Sequence, residues 1–317
     1  MICRLATKAM ATRFELVLDG EDEGRLRAVG ELALETIAEC ERTISPFLSA
    51  SLIARVNARA GKGWVEVDAD TFTLLETAQA VRRESLGAFD VTVAPVMEAL
   101  GFRERATADL AAARGAVGGD ALLLDRERSA VRFAREDLSL DVGGVGKGHA
   151  LELAREVLCE HGIERALLHG GTSTVVALGA PPAAEAWSVA LGPEPDAPLA
   201  HLRDAALSVS ASHGRTVPAT DGTAGRGHIV DPHTGRPLAG GIAAAVIDTD
   251  ARRADARSTA LCLARLPFCD PDRAPLAWAR AVRVGGVPRW ERAATAERGP
   301  NRIEHRDPRH QHRAQTA

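Results

Sequence analysis

The segment DVGGVGKGHA, from Asp141 to Ala150, constrains the fold and chemistry of this chain more than any other stretch. An apolar, strand-like run ends at Asp141, glycines and Lys147 follow, and an amphipathic helix pattern then begins. Glycine permits positive φ and lets a ligand approach the main chain. Successive N–H groups before a helix also form an anion site. The segment therefore indicates either an anion-binding turn or a plain strand-to-helix turn.

Two familiar phosphate loops do not fit this segment. A Walker A loop needs Ser or Thr after Gly-Lys, and the dinucleotide fingerprint needs G-x-G-x-x-G. Here Gly148 follows Lys147, and the glycines at 144, 146 and 148 alternate with other residues. The loop alone therefore leaves both interpretations open.

Length and composition are those of an ordinary globular protein. The 317 residues suit one large domain or two small ones. The net charge of −4, without a concentrated basic face outside the C-terminal tail, argues against nucleic acid as the main partner. No cysteine pair has CxxC spacing, so buried thiols are favoured over a disulfide framework or a zinc site.

The sequence has no apolar stretch long enough to span a membrane, so no transmembrane segment is expected. The first residues, MICRLATKAMATRFELVL, lead directly into a strand pattern and lack a secretory apolar region. As the sequence stands, we expect a cytoplasmic protein. A cell-envelope location stays open if the true start lies elsewhere.

Strands and helices mix along the chain without strict alternation, which predicts an α+β fold. Residue patterns predict strands over 13–18, 64–67, 129–134, 138–142, 166–178 (broken at Gly170–Gly171), 187–191, 206–210 and 242–248. They predict helices over 23–44, 69–86, 147–161 and 252–266. Apolar periodicity disappears after about Val287, so we expect one domain over residues 1–286 and a disordered tail over residues 287–317.

A second motif, HIVDPHTGRP, runs from His228 to Pro237. Asp-Pro and Thr-Gly bracket a tight turn. One interpretation is a hairpin turn with a surface histidine. The other is that the turn fixes His228 at the rim of a cleft, where its imidazole accepts a proton from a hydroxyl nucleophile.

A third motif, ADARST, lies in a predicted helix and carries Asp255 and Thr259 four residues apart. This spacing puts a carboxylate and a hydroxyl on one helix face. Together they could supply oxygen ligands to a hard cation such as Mg²⁺. The alternative is a surface Asp beside a Thr that bonds to an upstream carbonyl.

Taken together, the motifs resemble those of the ApbE family, the FAD:protein FMN transferases. The chain reads MATRFEL from Met10, FDVTVAPVMEALGF from Phe89, DVGGVGKGHA from Asp141, LLHGG from Leu167, HIVDPHTGRP from His228 and DARST from Asp255. The resemblance covers about Met10 to Leu266. It implies an α+β fold, in agreement with the pattern of elements, and a single ApbE-like domain.

The resemblance also implies a reaction and a set of site residues. Such enzymes transfer the FMN moiety of FAD to a Ser or Thr hydroxyl of an acceptor flavoprotein and release AMP. By position, His228 is the implied base. The implied Mg²⁺ ligands are Asp255, Thr259 and the carbonyl of Gly144, with Ser258 at a position where some members carry a further acid. The implied FAD contacts are Met10, Phe47, Ala88, Phe89, Asp90, Asp141, Lys147 and Ile229.

The chain departs from the family pattern at two places within the motifs. Ala11 replaces the usual Gly of the first motif, and the stretch SASHGR, from Ser210 to Arg215, lacks the usual Tyr. Two other functions stay open: Mg²⁺-dependent hydrolysis of FAD to FMN and AMP, and FAD binding without turnover. His228 and the metal-type pair favour an enzyme, whereas transferase and hydrolase differ only in the acceptor.

Overall fold

The computed structural model describes residues 1–103, 109–194, 197–212, 216–217, 226–238, 240–263, 275–284, 287–294 and 299–304. Within these ranges the helices are α1 (Glu23–Ile44), α2 (Leu52–Arg59), α3 (Ala69–Glu84), α4 (Ala94–Ala99), α5 (Leu110–Gly115), α6 (Gly146–Glu160) and α7 (Ala251–Leu263). The strands are β1 (Ile2–Ala9), β2 (Thr12–Asp19), β3 (Val65–Glu66), β4 (Leu122–Asp125), β5 (Ala130–Phe133), β6 (Arg165–Gly170), β7 (Thr174–Leu178), β8 (Trp187–Ala190), β9 (Leu199–Leu202), β10 (Ala205–Ala211), β11 (Thr216–Val217), β12 (Arg226–Gly227), β13 (Ile242–Asp248), β14 (Ala277–Val284), β15 (Val287–Ala294) and β16 (Arg302–Glu304).

An eight-stranded antiparallel sheet forms the centre of the fold, in the order β1-β2-β6-β7-β10-β13-β14-β15. Helices α1, α6 and α7 pack against one of its faces. A three-stranded sheet, β16-β9-β8, covers part of the opposite face through a second apolar core that includes Leu207, Ile247 and Leu202. The predicted α+β class is confirmed, because segregated helices and antiparallel strands form the layers.

Helix α1 shows how closely local sequence determined one element. Its apolar residues Leu26, Val29, Ala33 and Ile37 fall on one stripe and are buried. The Asp22 side chain caps the helix by accepting the Arg25 N–H at 3.0 Å. The boundaries predicted from the sequence, 23–44, match the helix in the structure.

The tight β1–β2 hairpin explains why a glycine is usual in the first motif. Met10 and Ala11 form a two-residue loop and have φ of 50° and 57°. Positive φ at both central residues is the pattern of a type I′ turn, which favours glycine at its second position. The Met10 N–H donates to Glu41 Oε1 on α1 at 2.7 Å, which ties the loop to the helix layer.

We expect Ala11→Gly to stabilise the protein by about 1 kcal/mol, because it removes the clash of a Cβ in the left-handed region. Urea unfolding of the two proteins, with equal m-values, measures the difference. A matched Ala6→Gly substitution, within strand β1, should destabilise instead. A loss of stability in Ala11→Gly would contradict the turn assignment.

The predicted strand over 138–142 is wrong, since this segment has no sheet partner in the structure. The Asn57 side chain takes the place of a strand: its Nδ2 donates to Leu140 O at 3.1 Å, and its Oδ1 accepts the Leu140 N–H at 2.7 Å. The next residue, Asp141, donates its N–H to Val91 O at 2.7 Å. The apolar run is therefore buried and extended, but a side chain and a loop satisfy its backbone.

The predicted disordered tail is wrong for the part of it that the structure describes. Strand β15 pairs with β14 along its whole length, with Trp290 opposite Ala281, and β16 pairs with β9. The composition of this stretch is polar, but its order comes from pairing with β14 and β9, which a local pattern does not show. Residues 305–317 lie outside the described ranges, as do residues 264–266 of the helix predicted over 252–266.

In the described part of the chain, no helix combines the length and the apolar character needed to cross a bilayer.

The interior of the helix layer contains a histidine, His149 on α6, with 1% of its surface exposed. Burial, assisted by the Arg252 charge, lowers the pKa of His149 to about 4, and Asp68 and Asp250 act in the opposite direction. The folded protein therefore holds this imidazole neutral, whereas the unfolded chain protonates it near pH 6.5.

It follows that His149 contributes to acid unfolding. Its contribution to stability is fully present above pH 6.5 and is lost as the pH falls towards 4, by a total of roughly 3 kcal/mol. We expect His149→Leu to flatten the fall of unfolding free energy between pH 7 and pH 4 relative to the parent protein. Urea titrations across that range test this, and parallel pH curves for the two proteins would exclude it.

Candidate functional site

A cavity of about 1530 Å³ opens at the end of the central sheet where the β1–β2 and β6–β7 loops lie. It extends from the helix layer on one face to strand β8 on the other. Nearly all the residues predicted for the site line it: Met10, Phe47, Ala88, Phe89, Asp90, Asp141, Gly144, Lys147, His228, Ile229, Asp255 and Thr259. Ser258 is the one predicted residue that does not.

The glycine loop leads from Asp141 into helix α6 along one wall of this cavity. Asp141 Oδ1 accepts the Gly143 N–H at 2.8 Å, and its Oδ2 lies 2.8 Å from Arg103 Nη2. The Gly146 N–H donates to Val142 O at 2.8 Å. Since the Gly143 and Gly146 N–H groups already have acceptors within the protein, the loop offers fewer N–H groups to an anion than its sequence alone suggests.

The last glycine of the loop, Gly148, allows helices α6 and α7 to meet. A Cβ at this position would lie 2.1 Å from the carbonyl oxygen of Ala251, so only glycine fits. Its N–H donates to Asp255 Oδ2 at 3.1 Å. The loop motif and the ADARST motif are therefore joined directly, and this contact aims the Asp255 carboxylate.

Asp255 is 2% exposed and lines the cavity beside Lys147. Its Oδ1 accepts the Ser208 hydroxyl at 3.0 Å and lies 3.7 Å from Lys147 Nζ. A buried carboxylate is costly unless donors surround it. The Gly148 N–H, the Ser208 hydroxyl and the Lys147 ammonium supply these donors and hold the carboxylate in place.

The Thr259 hydroxyl lies one helical turn after Asp255, as the spacing predicted. Its Oγ1 donates to the Asp255 carbonyl at 3.2 Å, and Ser210 Oγ lies 3.1 Å away. A Cβ on Gly144 would lie 3.5 Å from Thr259 Oγ1, so the glycine loop and α7 are in contact here. With its proton directed at the helix carbonyl, the hydroxyl oxygen can present a lone pair to the cavity.

The predicted role of Ser258 as a metal ligand does not agree with its position. Ser258 is 0% exposed and lies behind the cavity wall. Its Oγ lies 2.7 Å from Ser210 Oγ, 3.2 Å from Ser208 Oγ and 3.0 Å from the Asp255 carbonyl oxygen, all within hydrogen-bond distance. The side chain faces strand β10, where its hydroxyl contacts both Ser208 and Ser210. These are the serines that bond to Asp255 and Thr259 respectively.

The His228 motif forms the predicted tight turn. Gly235 donates its N–H to Asp231 O at 2.8 Å, and the Asp231 carboxylate accepts the His233 N–H at 2.9 Å. Arg114 on α5 donates from Nε to the His233 carbonyl at 2.7 Å, which anchors the turn. His228 precedes this turn, is half-buried and lines the cavity.

Asp90 borders the cavity, but its carboxylate is already occupied by protein donors. Its Oδ2 lies 2.8 Å from Arg82 Nε and accepts the Gly119 N–H at 3.0 Å. Its Oδ1 accepts the N–H and the hydroxyl of Thr92. This side chain therefore positions the Phe89 segment, whereas the neighbouring Phe89 ring lies against Gly144.

Phe47 is 65% exposed at the mouth of the cavity, and the Arg103 guanidinium lies 5.7 Å from its ring centroid. This is within the range of a cation–π contact. An exposed aromatic ring beside a cavity can stack on a planar ligand. The position agrees with the stacking residue that the motif comparison implied.

Sequence reasoning missed several residues of the cavity. Glu41 holds the Met10 N–H, and Glu15 and His169 face each other across strands β2 and β6. Burial lowers the pKa of His169, while Glu15 acts in the opposite direction. The signal for His169 in the sequence was the LLHGG motif, in which it precedes the glycine pair. Ser210 begins the SASHGR stretch, but that stretch was noted only for its missing Tyr, and Ser208, which donates to Asp255 from outside the cavity, gave no signal.

Comparison with known proteins agrees with these motifs. A model of the ApbE family matches residues 10–267. A Rhodobacter capsulatus protein named FAD:protein FMN transferase is 31% identical over 211 residues, which are 63% of this chain and 39% of that protein. A Klebsiella pneumoniae protein of the same name is 26% identical over 249 residues, which are 74% of this chain and 75% of its own.

Solved structures show the same fold. The ApbE protein of Thermotoga maritima superposes with a TM-score of 0.78 at 24% identity, covering 92% of this chain and 97% of its own. The flavin transferase ApbE of Vibrio cholerae superposes with a TM-score of 0.75 at 20% identity, covering 93% of this chain and 97% of its own. The family model spans most of the chain, and the motifs meet in one cavity. The chain belongs to the ApbE family.

Proposed function

We propose that this protein transfers the FMN moiety of FAD to a serine or threonine hydroxyl of an acceptor flavoprotein, with Mg²⁺, and releases AMP. The main support is that a single cavity contains the loop of Asp141 to Lys147, the Asp255/Thr259 pair and His228. The name of the curated relatives is in accord with this activity.

The proposed metal ligands are the Asp255 carboxylate, the Thr259 hydroxyl and the carbonyl of Gly144. All three are oxygen donors, the type that Mg²⁺ prefers. The contact between Gly144 and Thr259 supports a shared ion, because it brings the loop and α7 together. When bound, Mg²⁺ would polarise the oxygens of the pyrophosphate. Ser258 is not included, and acts instead as a support for the other two side chains.

The FAD contacts that we propose lie around this centre. Lys147 offers a positive charge to the pyrophosphate, and Phe89 and Ile229 supply apolar surface. Phe47 stacks on a planar ring of the dinucleotide. Asp90 contributes by holding its segment, since its carboxylate is occupied. The remaining contacts line the cavity and shape it: Met10, Ala88 and Asp141.

The proposed reaction is attack of a hydroxyl on the phosphorus atom next to the riboflavin. His228 accepts the hydroxyl proton as the new P–O bond forms. The bond between that phosphorus and the bridging oxygen breaks, and AMP leaves with the bridging oxygen. Lys147 faces the charge that develops during transfer, in a reaction where positioning and charge neutralisation carry most of the catalysis.

Incubation with FAD, Mg²⁺ and candidate acceptor flavoproteins tests the proposal. Mass measurement of each acceptor should show the addition of one FMN on a Ser or Thr, with one AMP released per modified chain. Release of FMN and AMP without modified protein would instead identify an FAD pyrophosphatase. Binding of FAD without any product would identify a binding protein.

We expect the activity to require Mg²⁺, and Asp255→Asn to weaken the metal more than Thr259→Val does. Asp255 brings a formal charge, whereas Thr259 brings a neutral oxygen, and a hard cation prefers anionic ligands. Titration with Mn²⁺, followed by its paramagnetic signal, measures affinity without turnover. Chelation should stop transfer, and added Mg²⁺ should restore it.

The control for this ranking is Asp250→Asn, which removes a carboxylate near the start of α7 but outside the cavity. It should leave metal affinity unchanged. Undiminished turnover in excess chelator, or an Asp255→Asn protein that binds the metal normally, would remove the metal site from this proposal.

A further inference from the structure

The cavity continues beyond the residues proposed for FAD and Mg²⁺, to the other face of the sheet. Pockets for drug-sized ligands typically enclose about 300–1,000 Å³, and this one encloses about 1530 Å³. Its second half is bounded by Glu15, His169 and Val175 on the central sheet, and by the segment from Val189 to Glu194. None of these residues has a role in the proposed chemistry.

Strand β8 presents its backbone edge to this half of the cavity. Val189 and Ala190 are consecutive residues whose side chains point to opposite faces of the small sheet. Both nevertheless line the cavity, as do the four residues that follow them. This arrangement indicates that the cavity meets the edge of the strand.

The pairing of β8 with β9 determines which backbone groups that edge offers. Leu191 donates its N–H to Pro198 O at 2.9 Å, and this pair continues the register of Val189 with Ala200. Hydrogen-bonded and non-hydrogen-bonded pairs alternate in an antiparallel ladder. The N–H and C=O groups of Ser188 and Ala190 therefore point away from β9.

Within the described ranges, no strand pairs with this second edge of β8, since the small sheet has the order β16-β9-β8. In this small sheet, β16 lies over β14 and β9 lies over β10 of the central sheet. Trp187 of β8 donates a hydrogen bond from Nε1 to the Leu178 carbonyl at the end of β7. Beyond β8, the face of β6 and β2 that carries His169 and Glu15 forms the floor of a groove.

We propose that this groove, between the β8 edge and the face of β2 and β6, holds an extended segment of the acceptor protein as an added strand. The inference rests on the proposed transfer to a protein hydroxyl. A polypeptide that enters a cavity must satisfy its own N–H and C=O groups. Ser188 and Ala190 offer donors and acceptors at strand spacing, and main-chain pairing of this kind is a recurrent mode of peptide recognition.

The groove also fits the geometry of the reaction. It is continuous with the part of the cavity that holds His228, Asp255 and Thr259. A segment lying along β8 therefore directs a Ser or Thr side chain towards the pyrophosphate while its backbone stays on the edge. A side chain on its other face packs on Val175, which lies opposite His169 in the ladder of β6 and β7.

The test uses short synthetic peptides that carry one central threonine with varied flanking residues. In the wild-type protein with FAD and Mg²⁺, we expect FMN addition to a subset of the peptides. Those peptides should slow hydrogen exchange at the Ser188 and Ala190 amides. Ala190→Pro removes one outward N–H, and we expect it to raise the KM for the peptides about tenfold with unchanged FAD affinity. Ala190→Ser, which keeps the N–H, should behave as wild type.

Each outcome bears on one proposal or the other. FMN transfer without protection of the Ser188 and Ala190 amides, or a wild-type KM in a folded Ala190→Pro protein, overturns the groove as the acceptor site. If Ala190→Pro loses stability, the exchange measurement on the wild type decides alone. Protection by peptides without any FMN transfer supports the groove and contradicts the proposed function. Absence of both overturns the groove as a peptide site.

Discussion

Replacement of His228 by alanine is expected to lower the rate of FMN transfer by about 10²- to 10⁴-fold, the usual contribution of a general base. The side chain lines the cavity beside Ile229 and lies just before the anchored turn of Asp231 to Gly235. Because the Asp231–Gly235 turn is held by its own hydrogen bonds and by Arg114, it should survive the substitution. The loss should therefore fall on the rate, while FAD affinity stays within about twofold.

His233→Ala supplies the matched control, since His233 is an exposed histidine of the same turn. It should transfer FMN at nearly the wild-type rate. The decline of the rate on the acidic side should disappear in His228→Ala and persist in His233→Ala. Rates measured with saturating FAD across the pH range test both points. A His228→Ala protein with the wild-type rate would show that the base lies elsewhere.

The sequence was most informative where chemistry and local structure coincide. The spacing of Asp255 and Thr259 predicted a shared helix face, and both side chains line the cavity. The turn residues around Asp231 predicted a tight turn, and its hydrogen bonds confirm it. These features depend on neighbours within a few residues, so the sequence contains them directly.

Features that depend on distant partners were not predictable in the same way. Ser258 was assigned to the metal because some family members carry a further acid at its position, but its direction depends on Ser208 and Ser210 of β10. The run at 138–142 was interpreted as a strand, but Asn57 satisfies its backbone. In each case the deciding group lies far away in sequence and joins only when the sheet and helices assemble.

The C-terminal strands were also difficult to predict, in this case because of their composition. Strand β14 contributes Ala277 and Ala279 to the second core and buries Ala281 as well, and these small residues give only a weak apolar signal. Strand β15 then pairs with it in a stretch that reads as polar. A strand with few large apolar residues is stabilised by its neighbour in the ladder. For this reason the tail was predicted to begin too early.

The buried ion pairs of α7 connect the site to the stability of the whole domain. Arg257, between Asp255 and Thr259 in the chain, is 0% exposed. Its Nη2 and Nε lie 2.6 Å and 3.1 Å from Glu84 Oε2 on α3, and its Nη1 donates to Asp248 at the end of β13. This one side chain therefore joins α7 to another helix and to the central sheet.

We expect Arg257→Met to destabilise the protein by about 3–5 kcal/mol, because two buried carboxylates would lose their shared partner. Arg257→Lys should recover little of this loss, since an ammonium cannot reach both carboxylates with the geometry of a guanidinium. Arg253→Met is the matched control on the same helix. Its side chain is 37% exposed and also pairs with Asp248, so its removal should cost less than about 1 kcal/mol.

The change in unfolding free energy, measured by urea titration at neutral pH, tests this ranking. Adding Glu84→Gln to Arg257→Met should recover part of the lost stability, because it removes the carboxylate that has lost Arg257, whereas Asp248 keeps its ion pair with Arg253. A destabilisation by Arg257→Met no larger than that of Arg253→Met would contradict the role of this network. At a temperature where Arg257→Met is still folded, we expect it to bind the metal more weakly than the wild-type protein does. The reason is that α7, which carries Asp255 and Thr259, has lost its link to α3 and β13.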